Sequence, residues 1–257
     1  MKLEDKISNW LKRYLTKNNL ETFVVGISGG VDSALTSTLC ARTFSKTILI
    51  TMPIHQNPEE TDRGLNHINW LKKTYTNVKS LHIDLTKTYD ELINTIPLNM
   101  QSDLSLANTR ARLRMSTLYL IAGSSKGIVV GTGNKVEDFG IGFFTKYGDG
   151  GVDVSPIADL MKSEVYALAN DLNINKEIIN AAPTDGLWED GRTDEDQIGV
   201  SYDELEWAMH FIENNSNNNM NLLNQKQKSI LKVYKSLRNV NVHKMKEIPV
   251  FKNNNDS

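Results

Sequence analysis

Residues 26–33 read Gly-Ile-Ser-Gly-Gly-Val-Asp-Ser, directly after the apolar run Thr22-Phe23-Val24-Val25 and directly before a helical pattern. A strand that ends in Ser28-Gly29-Gly30 and opens a helix near Ser33 forms a nest of backbone N–H groups aimed at an anion. The glycines let the main chain approach phosphate oxygens closely, and the helix N-terminus adds partial positive charge. Asp32 is the odd member, since a carboxylate in a phosphate cradle is repulsive unless a divalent cation lies between them. The loop therefore implies Mg2+ with a nucleotide. It is not a Walker A loop, because the Gly-Lys-[Ser/Thr] ending is absent. The competing reading is a plain strand–helix turn, which needs neither two adjacent glycines nor the Asp.

Around this loop, strands and helices alternate. Leu3, Ile7, Trp10, Leu11 and Tyr14 recur at helical spacing, which predicts a first helix to about residue 17. Strands are expected at 22–27, 46–52, 78–84 and 127–131, with helices at 32–44, 57–75, 86–95 and 103–123 between them. Asn57-Pro58-Glu59-Glu60 is a well-formed helix start, with a capping Asn and Pro at the first helical position. The pattern predicts an α/β fold, a doubly wound parallel sheet flanked by helices on both faces. Past Thr145 the sheet pattern stops. Helices are expected at 160–172, 201–213 and 224–237, and 183–199 reads as a polar segment without periodicity, of the kind that forms lids or stays disordered. Asn214–Asn221 reads as a surface turn. One domain over 1–252 and a disordered tail over 253–257 complete the reading.

Composition excludes several classes. The 257 residues are 39% apolar and carry a net charge of −2, so no global field draws in nucleic acid. The single cysteine, Cys40, rules out an internal disulfide or a Cys-pair metal site, and its place in an apolar helix predicts a buried, inert thiol. No run of about 18 apolar residues suggests a membrane span. The expectation is a cytoplasmic protein. His55, His67, His82 and His210 show neither metal spacing nor a Ser or Cys partner, which predicts satisfied core or surface positions. Tyr119, Phe143, Phe144 and Trp207 read as core packing, whereas Trp188 sits in the polar segment where it could fold over a ligand.

Ser-Gly-Gly-x-Asp-Ser resembles the loop of the ATP pyrophosphatases, the N-type PP-loop superfamily, which cleave ATP between its α- and β-phosphates. Three further segments narrow this. They are Asn108-Thr-Arg-Ala-Arg-Leu-Arg-Met, the run Gly131-Thr-Gly-Asn-Lys-Val-Glu-Asp through Phe144-Thr-Lys-Tyr-Gly-Asp-Gly, and Pro183-Thr-Asp-Gly-Leu-Trp. Together they resemble the ammonia-dependent NAD+ synthetase family, over essentially the whole chain. The resemblance implies an adenine nucleotide alpha-hydrolase-like fold and conversion of deamido-NAD+ to NAD+ with ATP, Mg2+ and ammonia. It implies ATP contacts at Gly26, Ile27, Ser28, Gly29, Gly30, Val31, Asp32, Ser33, Thr132, Lys162 and Thr184, with Asp32 and Glu137 as Mg2+ ligands. Asp32, Glu137 and Lys162 are the implied catalytic residues. Arg112, Lys146, Asp153, His243 and Lys244 are the implied deamido-NAD+ contacts. A homodimer is implied, with the 103–123 helix and the C-terminal helices as the expected interface.

Elementary chemistry agrees with this carry-over. A carboxylate does not react with ammonia until its oxygen becomes a leaving group, which adenylation provides. Both steps build negative charge on phosphate or carbonyl oxygens, so cations and aimed donors should dominate. Helix geometry puts Asn108 and Arg112 on one face and Arg110 with Arg114 on another, so one arginine face can serve a ligand. Each residue also has a blander reading: Glu137 as a solvated helix residue, Lys162 as an exposed first-turn lysine, the arginines as a solvated stripe. Rival pyrophosphatases fit less well. Thiolation enzymes use a Cys pair, RNA-modifying members a basic face, and GMP synthetase a glutamine-hydrolysing domain. A non-catalytic nucleotide sensor would leave Asp32, Glu137 and Lys162 without a purpose. Without a nucleophile-bearing amidotransferase domain, free ammonia is the expected nitrogen source, with a separate glutaminase partner as the alternative.

Overall fold

Phe23, Val24 and Val25 are fully buried, and their side chains alternate between two cores. They belong to β1 (Thr22–Gly26), which pairs in parallel with β2 (Lys46–Thr51) on one side and β4 (Gly127–Val129) on the other. β3 (Val78–His82) lies outside β2, so the order is β3-β2-β1-β4 with every pairing parallel. The computed structural model describes residues 1–184, 193–214 and 222–253.

The alternation fixes the layers. Phe23, Val25, Leu49, Ile128 and Val130 face a core shared with α1 (Leu3–Lys17), α2 (Val31–Ala41), α3 (Pro58–Thr74), α6 (Lys162–Asp171) and α7 (Lys176–Ile179). Val24, Ile48, Ile50 and Val129 face the opposite core, against α4 (Thr86–Asn94) and α5 (Asp103–Ser124). Each such side chain contributes about 1.5–3 kcal/mol on burial. This two-faced burial is what a doubly wound sheet requires, as the strand pattern predicts. Asn57 caps α3 as expected, its side chain accepting from the Glu59 N–H at 3.0 Å.

Four differences matter beyond boundaries shifted by a few residues. The sheet does not end at Thr145, because Val154 bridges Val130 in parallel beyond β4. Residues Lys135–Ile141 form a short π-helix, where no helix bounds follow from the sequence and Glu137 reads at most as a solvated helix residue. Within the polar 183–199 segment, Asp194–Ile198 is a helix (α8), started by Thr193 accepting from the Asp196 N–H at 3.1 Å. The C-terminal helix runs over Gln225–Met245 (α10), well past the expected end at 237. With α9 (Tyr202–Asn214), α10 and the π-helix enclose a separate apolar cluster around Leu205, Met209, Leu231 and Tyr234. The expected lid at Trp188, most of the Asn-rich turn and the tail from residue 254 lie outside the described residues. Among the described residues, no helix is long and apolar enough to cross a membrane.

Candidate active site

The two glycines of the loop between β1 and α2 do different work. Gly29 has φ +92°, and a Cβ there would stand 2.3 Å from the Glu60 carbonyl oxygen. Only glycine lets the loop lie against α3. Gly30 has an ordinary extended conformation (φ −92°) and meets nothing closer than Ser28 Oγ at 3.4 Å. Ser33 Oγ donates to the Gly30 carbonyl at 3.0 Å and lies 3.1 Å from Ser28 Oγ, which accepts from the Gly30 N–H at 3.2 Å. These bonds set the loop's curvature. The first intrahelical bond of α2 comes from the Ala34 N–H, so the earlier amides of its first turn are left for a ligand.

Asp32, in that first turn, meets two residues far along the chain. Lys162 Nζ lies 2.7 Å from Asp32 Oδ2 and 3.0 Å from Glu137 Oε1. It is only 3% exposed, not the solvated first-turn lysine of the blander reading. Tyr202 covers it with its ring, 4.7 Å away, and donates its hydroxyl to Glu137 Oε1 at 2.5 Å, with Asp194 Oδ2 3.2 Å from the same oxygen. Asn134, completely buried, caps the π-helix: its Oδ1 accepts from the N–H groups of Val136 and Glu137, both at 3.1 Å. Its Nδ2 donates to Asp32 Oδ1, also at 3.1 Å.

Burial works against charge on Lys162, but Asp32 and Glu137 together outweigh it and hold the ammonium well above the usual lysine range. Burial and the Glu137 charge push Asp32 up, whereas on Glu137 the Lys162 charge and the Tyr202 hydroxyl overcome burial and hold it down. Asp138 is pushed well up by burial and by its neighbours Glu137, Asp149 and Asp32. Burial also raises Asp149. Lys162 acts on Asp32 and Glu137 and Lys244 on Asp138 and Asp149, so carboxylates outnumber ammonium groups at the mouth of the phosphate-type loop. A hard divalent cation fits that excess. Among the described residues no three His, Cys, Asp or Glu side chains are grouped to hold a metal ion. Asp32 and Glu137 could supply two carboxylate oxygens to such a cation, which would leave the remaining positions to phosphate and water, as Mg2+ prefers.

The loop and the carboxylates line a cavity of about 850 Å3 that is also lined by Arg112, Arg114, Lys146 and Lys244. Arg112 on α5 donates from Nε to the Lys146 carbonyl at 3.3 Å, and Thr145 Oγ1 donates to Asn108 Oδ1 at 2.7 Å. Asn108 and Arg112 thus share a face turned to the 145–146 loop. Arg114, on another face, donates to the Met52 carbonyl at 2.9 Å and to Gln56 Oε1 at 3.1 Å, while Arg110 lies over the Tyr89 ring. From α10, Lys244 Nζ donates to the Phe144 carbonyl at 2.7 Å, and Lys146 Nζ donates to the His243 carbonyl at 3.4 Å. A cavity of this size, at the carboxyl ends of parallel strands, suits large anionic ligands.

The NAD synthase family model matches residues 3–248. The chain belongs to the NAD synthase family. It is similar to the NH3-dependent NAD+ synthetase of Carboxydothermus hydrogenoformans, 40% identical over 79% of this chain and 82% of that one. The corresponding protein of Mycoplasmopsis pulmonis is 42% identical over 77% of this chain and 74% of its own. Among solved structures, an NMN synthetase from Francisella tularensis superposes with TM-score 0.85 at 31% identity, covering 98% of this chain and 97% of that one. An NH3-dependent NAD synthetase from Campylobacter jejuni gives 0.79 at 27% identity, covering 97% and 98%.

In this NAD synthase family member, Gly26, Ile27, Ser28, Gly30, Val31, Asp32, Ser33, Glu137, Thr132, Lys162 and Thr184 all line the cavity, as do Arg112, Lys146, His243 and Lys244. Two expected contacts do not. Gly29 packs on α3 instead, and Asp153 is engaged within the fold, accepting from the Val129 N–H at 2.8 Å and the Tyr119 hydroxyl at 3.0 Å. Asn134, Gln56, Asp138 and Tyr202 belong to the site as well; Asn134 and Asp138 lie in the 131–138 run that carries the family resemblance and Gln56 in the turn after the second strand, but no role follows for them from the sequence. Cys40 is buried, and burial pushes its thiol up, as an inert thiol should be. Contrary to the sequence reading, His67 does have a serine partner, Ser37 Oγ at 3.0 Å from Nε2, but in the α2–α3 interface rather than in the cavity. Phe143 and Phe144 line the cavity as well as packing, while Trp207 stacks on Phe211.

Proposed function

We propose that this chain is an ammonia-dependent NAD+ synthetase, a carbon–nitrogen ligase acting on ATP, deamido-NAD+ and ammonia. The observation that carries the reading is the Lys162 bridge between Asp32 and Glu137, set against the Ser28–Ser33 loop in a cavity also lined by Arg112, Lys146 and Lys244. In the first step a nicotinate carboxylate oxygen attacks the α-phosphate of ATP, the α–β bridging bond breaks, and pyrophosphate leaves into the loop and helix N-terminus. Lys162 would stabilise the charge that develops on the departing phosphates. Asp32 and Glu137 would hold Mg2+, which neutralises phosphate charge when bound. In the second step ammonia attacks the acyl-adenylate carbonyl, AMP leaves with the bonding electrons, and the amine loses a proton. Arg112 and Lys146 would hold the anionic dinucleotide, with His243 and Lys244, which line the same cavity, as further contacts. A cytoplasmic setting goes with this chemistry and suits the unpaired Cys40. We also infer a homodimer through α4, the turn after it and α5, where Leu92, Ile96, Leu98, Met100, Leu104 and Leu120 are exposed.

A second reading concerns the acceptor. The Francisella structure is named an NMN synthetase and covers nearly the whole chain, so nicotinate mononucleotide is the alternative carboxylate. One assay separates the possibilities: protein, ATP and Mg2+ with deamido-NAD+ or nicotinate mononucleotide, and with ammonium or glutamine, following AMP and the amide product. AMP and NAD+ formation with deamido-NAD+ and ammonium is expected. No AMP with either acceptor removes the ligase reading, and a preference for the mononucleotide moves the substrate without moving the chemistry.

A further inference from the structure

The segment that carries Glu137 is wound as a π-helix, a form that is rare, short and concentrated at functional sites. Its N-terminal amides are satisfied by Asn134, within the site. Its C-terminal carbonyls, which any helix leaves without internal partners, are satisfied from outside. Arg238 Nη1 donates to the carbonyls of Phe139 and, at 2.7 Å, Gly140. Asn241 Nδ2 donates to the Ile141 carbonyl at 3.0 Å. With Lys244 on Phe144, these donors recur every three residues along one face of α10 and meet successive carbonyls of one strand of chain. The approach is close: a Cβ on Gly142 (φ +67°) would stand 2.5 Å from Asn241 Cβ and 2.6 Å from Met245 Cε.

We propose that Arg238 and Asn241 are positioning residues for Glu137, acting through the carbonyls at the end of the π-helix. A segment free of these donors can rewind toward ordinary i→i+4 bonding, which turns every side chain on it. Glu137 tolerates no such turn, because Lys162 at 3.0 Å and Tyr202 at 2.5 Å fix its carboxylate from two sides. Neither Arg238 nor Asn241 is among the residues that anchor the sheet; Asn241 lines the cavity but Arg238 does not, so the effect of Arg238 on chemistry has to pass through the strapped segment and its variants carry the test. The proposal rests on the synthetase reading for the role of Glu137.

The test uses the full chain with Arg238→Ala, Asn241→Ala, the double variant, Arg238→Lys, and Lys228→Ala as a control on the exposed start of α10. Hydrogen exchange over residues 135–143, the thermal midpoint, and AMP formation against Mg2+ and ATP concentration are measured together. In the alanine variants exchange over 135–143 should rise while β1 and α2 stay protected. kcat should fall about tenfold or more, with a higher Mg2+ requirement and KM for ATP nearly unchanged. Arg238→Lys should restore much of both, and Lys228→Ala should match the wild type. Wild-type kcat with loosened exchange, or reduced kcat with unchanged exchange, overturns the proposal. If the double variant unfolds, the two single variants decide between these outcomes. If the wild type forms no AMP, the synthetase reading is what fails, and exchange alone then decides whether α10 holds the π-helix.

Discussion

Lys162 Nζ stands 2.7 Å from Asp32 Oδ2 although 130 residues separate them in sequence. The first turn of α2 and the first turn of α6 meet here, so two helix N-termini bring an acid and a base together beside a third chain segment bearing Glu137. The ion pair is buried, and it is also where the site's charge is set. Lys162 is the common partner of the two carboxylates proposed to hold the metal, which ties the fold's stability to the proposed chemistry at one atom.

Lys162→Met should therefore cost stability as well as activity. It leaves Asp32 and Glu137 facing one another without their cation, a change that typically costs about 3–5 kcal/mol. For a chain of this size that is a thermal midpoint lower by about 6–20 °C. Mg2+ should recover part of the loss, since a divalent cation can take over the compensation. Calorimetry with and without Mg2+ checks this, and an unchanged midpoint would mean that the carboxylates are neutralised some other way.

The adjacent glycines should respond differently to alanine. Gly29→Ala combines a disfavoured positive φ, costing about 1–2 kcal/mol, with a backbone clash at the Glu60 carbonyl, 2.3 Å away. Its stability should drop by more than about 2 kcal/mol, and the displaced loop should lose ATP binding. Gly30→Ala has room and an ordinary φ, so its stability should stay within about 1 kcal/mol of the parent. Denaturant titration of the two variants is the check.

Much of this was legible in sequence because the informative residues announce a local geometry. Val24 and its neighbours read as a strand from β-branched apolar runs, and Ser28–Ser33 reads as an anion nest from its glycines. Glu137 could be placed near Asp32 only through the family resemblance, since nothing local reveals a contact across 105 positions. The π-helix escaped because seven residues do not distinguish π from α periodicity. The extension of α10 escaped because Arg238, Asn241 and Lys244 spend their polar side chains on carbonyls and so hide any apolar stripe. Tyr202 reads as a helix start; that its hydroxyl reaches Glu137 depends on how α9 packs.

Acid sensitivity should have a component from His67. Burial lowers its pKa to about 4, against roughly 6.5 when unfolded. Between those values the unfolded chain binds the extra proton and the folded chain does not, so stability falls as pH drops from about 6.5 to about 4. The loss amounts to about 3 kcal/mol from this group. His67→Gln should lack that part of the slope. Denaturation of both proteins across this range isolates it as the difference, and parallel curves would show that His67 takes up its proton at the same pH in the folded protein as in the unfolded chain.

Tyr202→Phe isolates one hydrogen bond. The ring that covers Lys162 at 4.7 Å is kept, and only the hydroxyl donated to Glu137, with Asp194 beside it, is lost. A hydrogen bond to a charged group contributes about 1.5–3 kcal/mol, and stability should fall by that order. The Tyr202 bond is one of the interactions that hold Glu137 below the usual carboxylate range, so its loss should raise the Glu137 pKa. A depressed folded pKa gives stability that is present above the unfolded value and lost as pH falls through the folded one, so the variant should lack part of this contribution near neutral pH and lose correspondingly less on acidification. If ionised Glu137 is required for adenylation, the acid limb of kcat/KM for AMP formation should move to higher pH, while the alkaline limb stays. A variant with an unmoved acid limb but reduced stability would confine Tyr202 to packing and take Glu137 titration out of the rate profile.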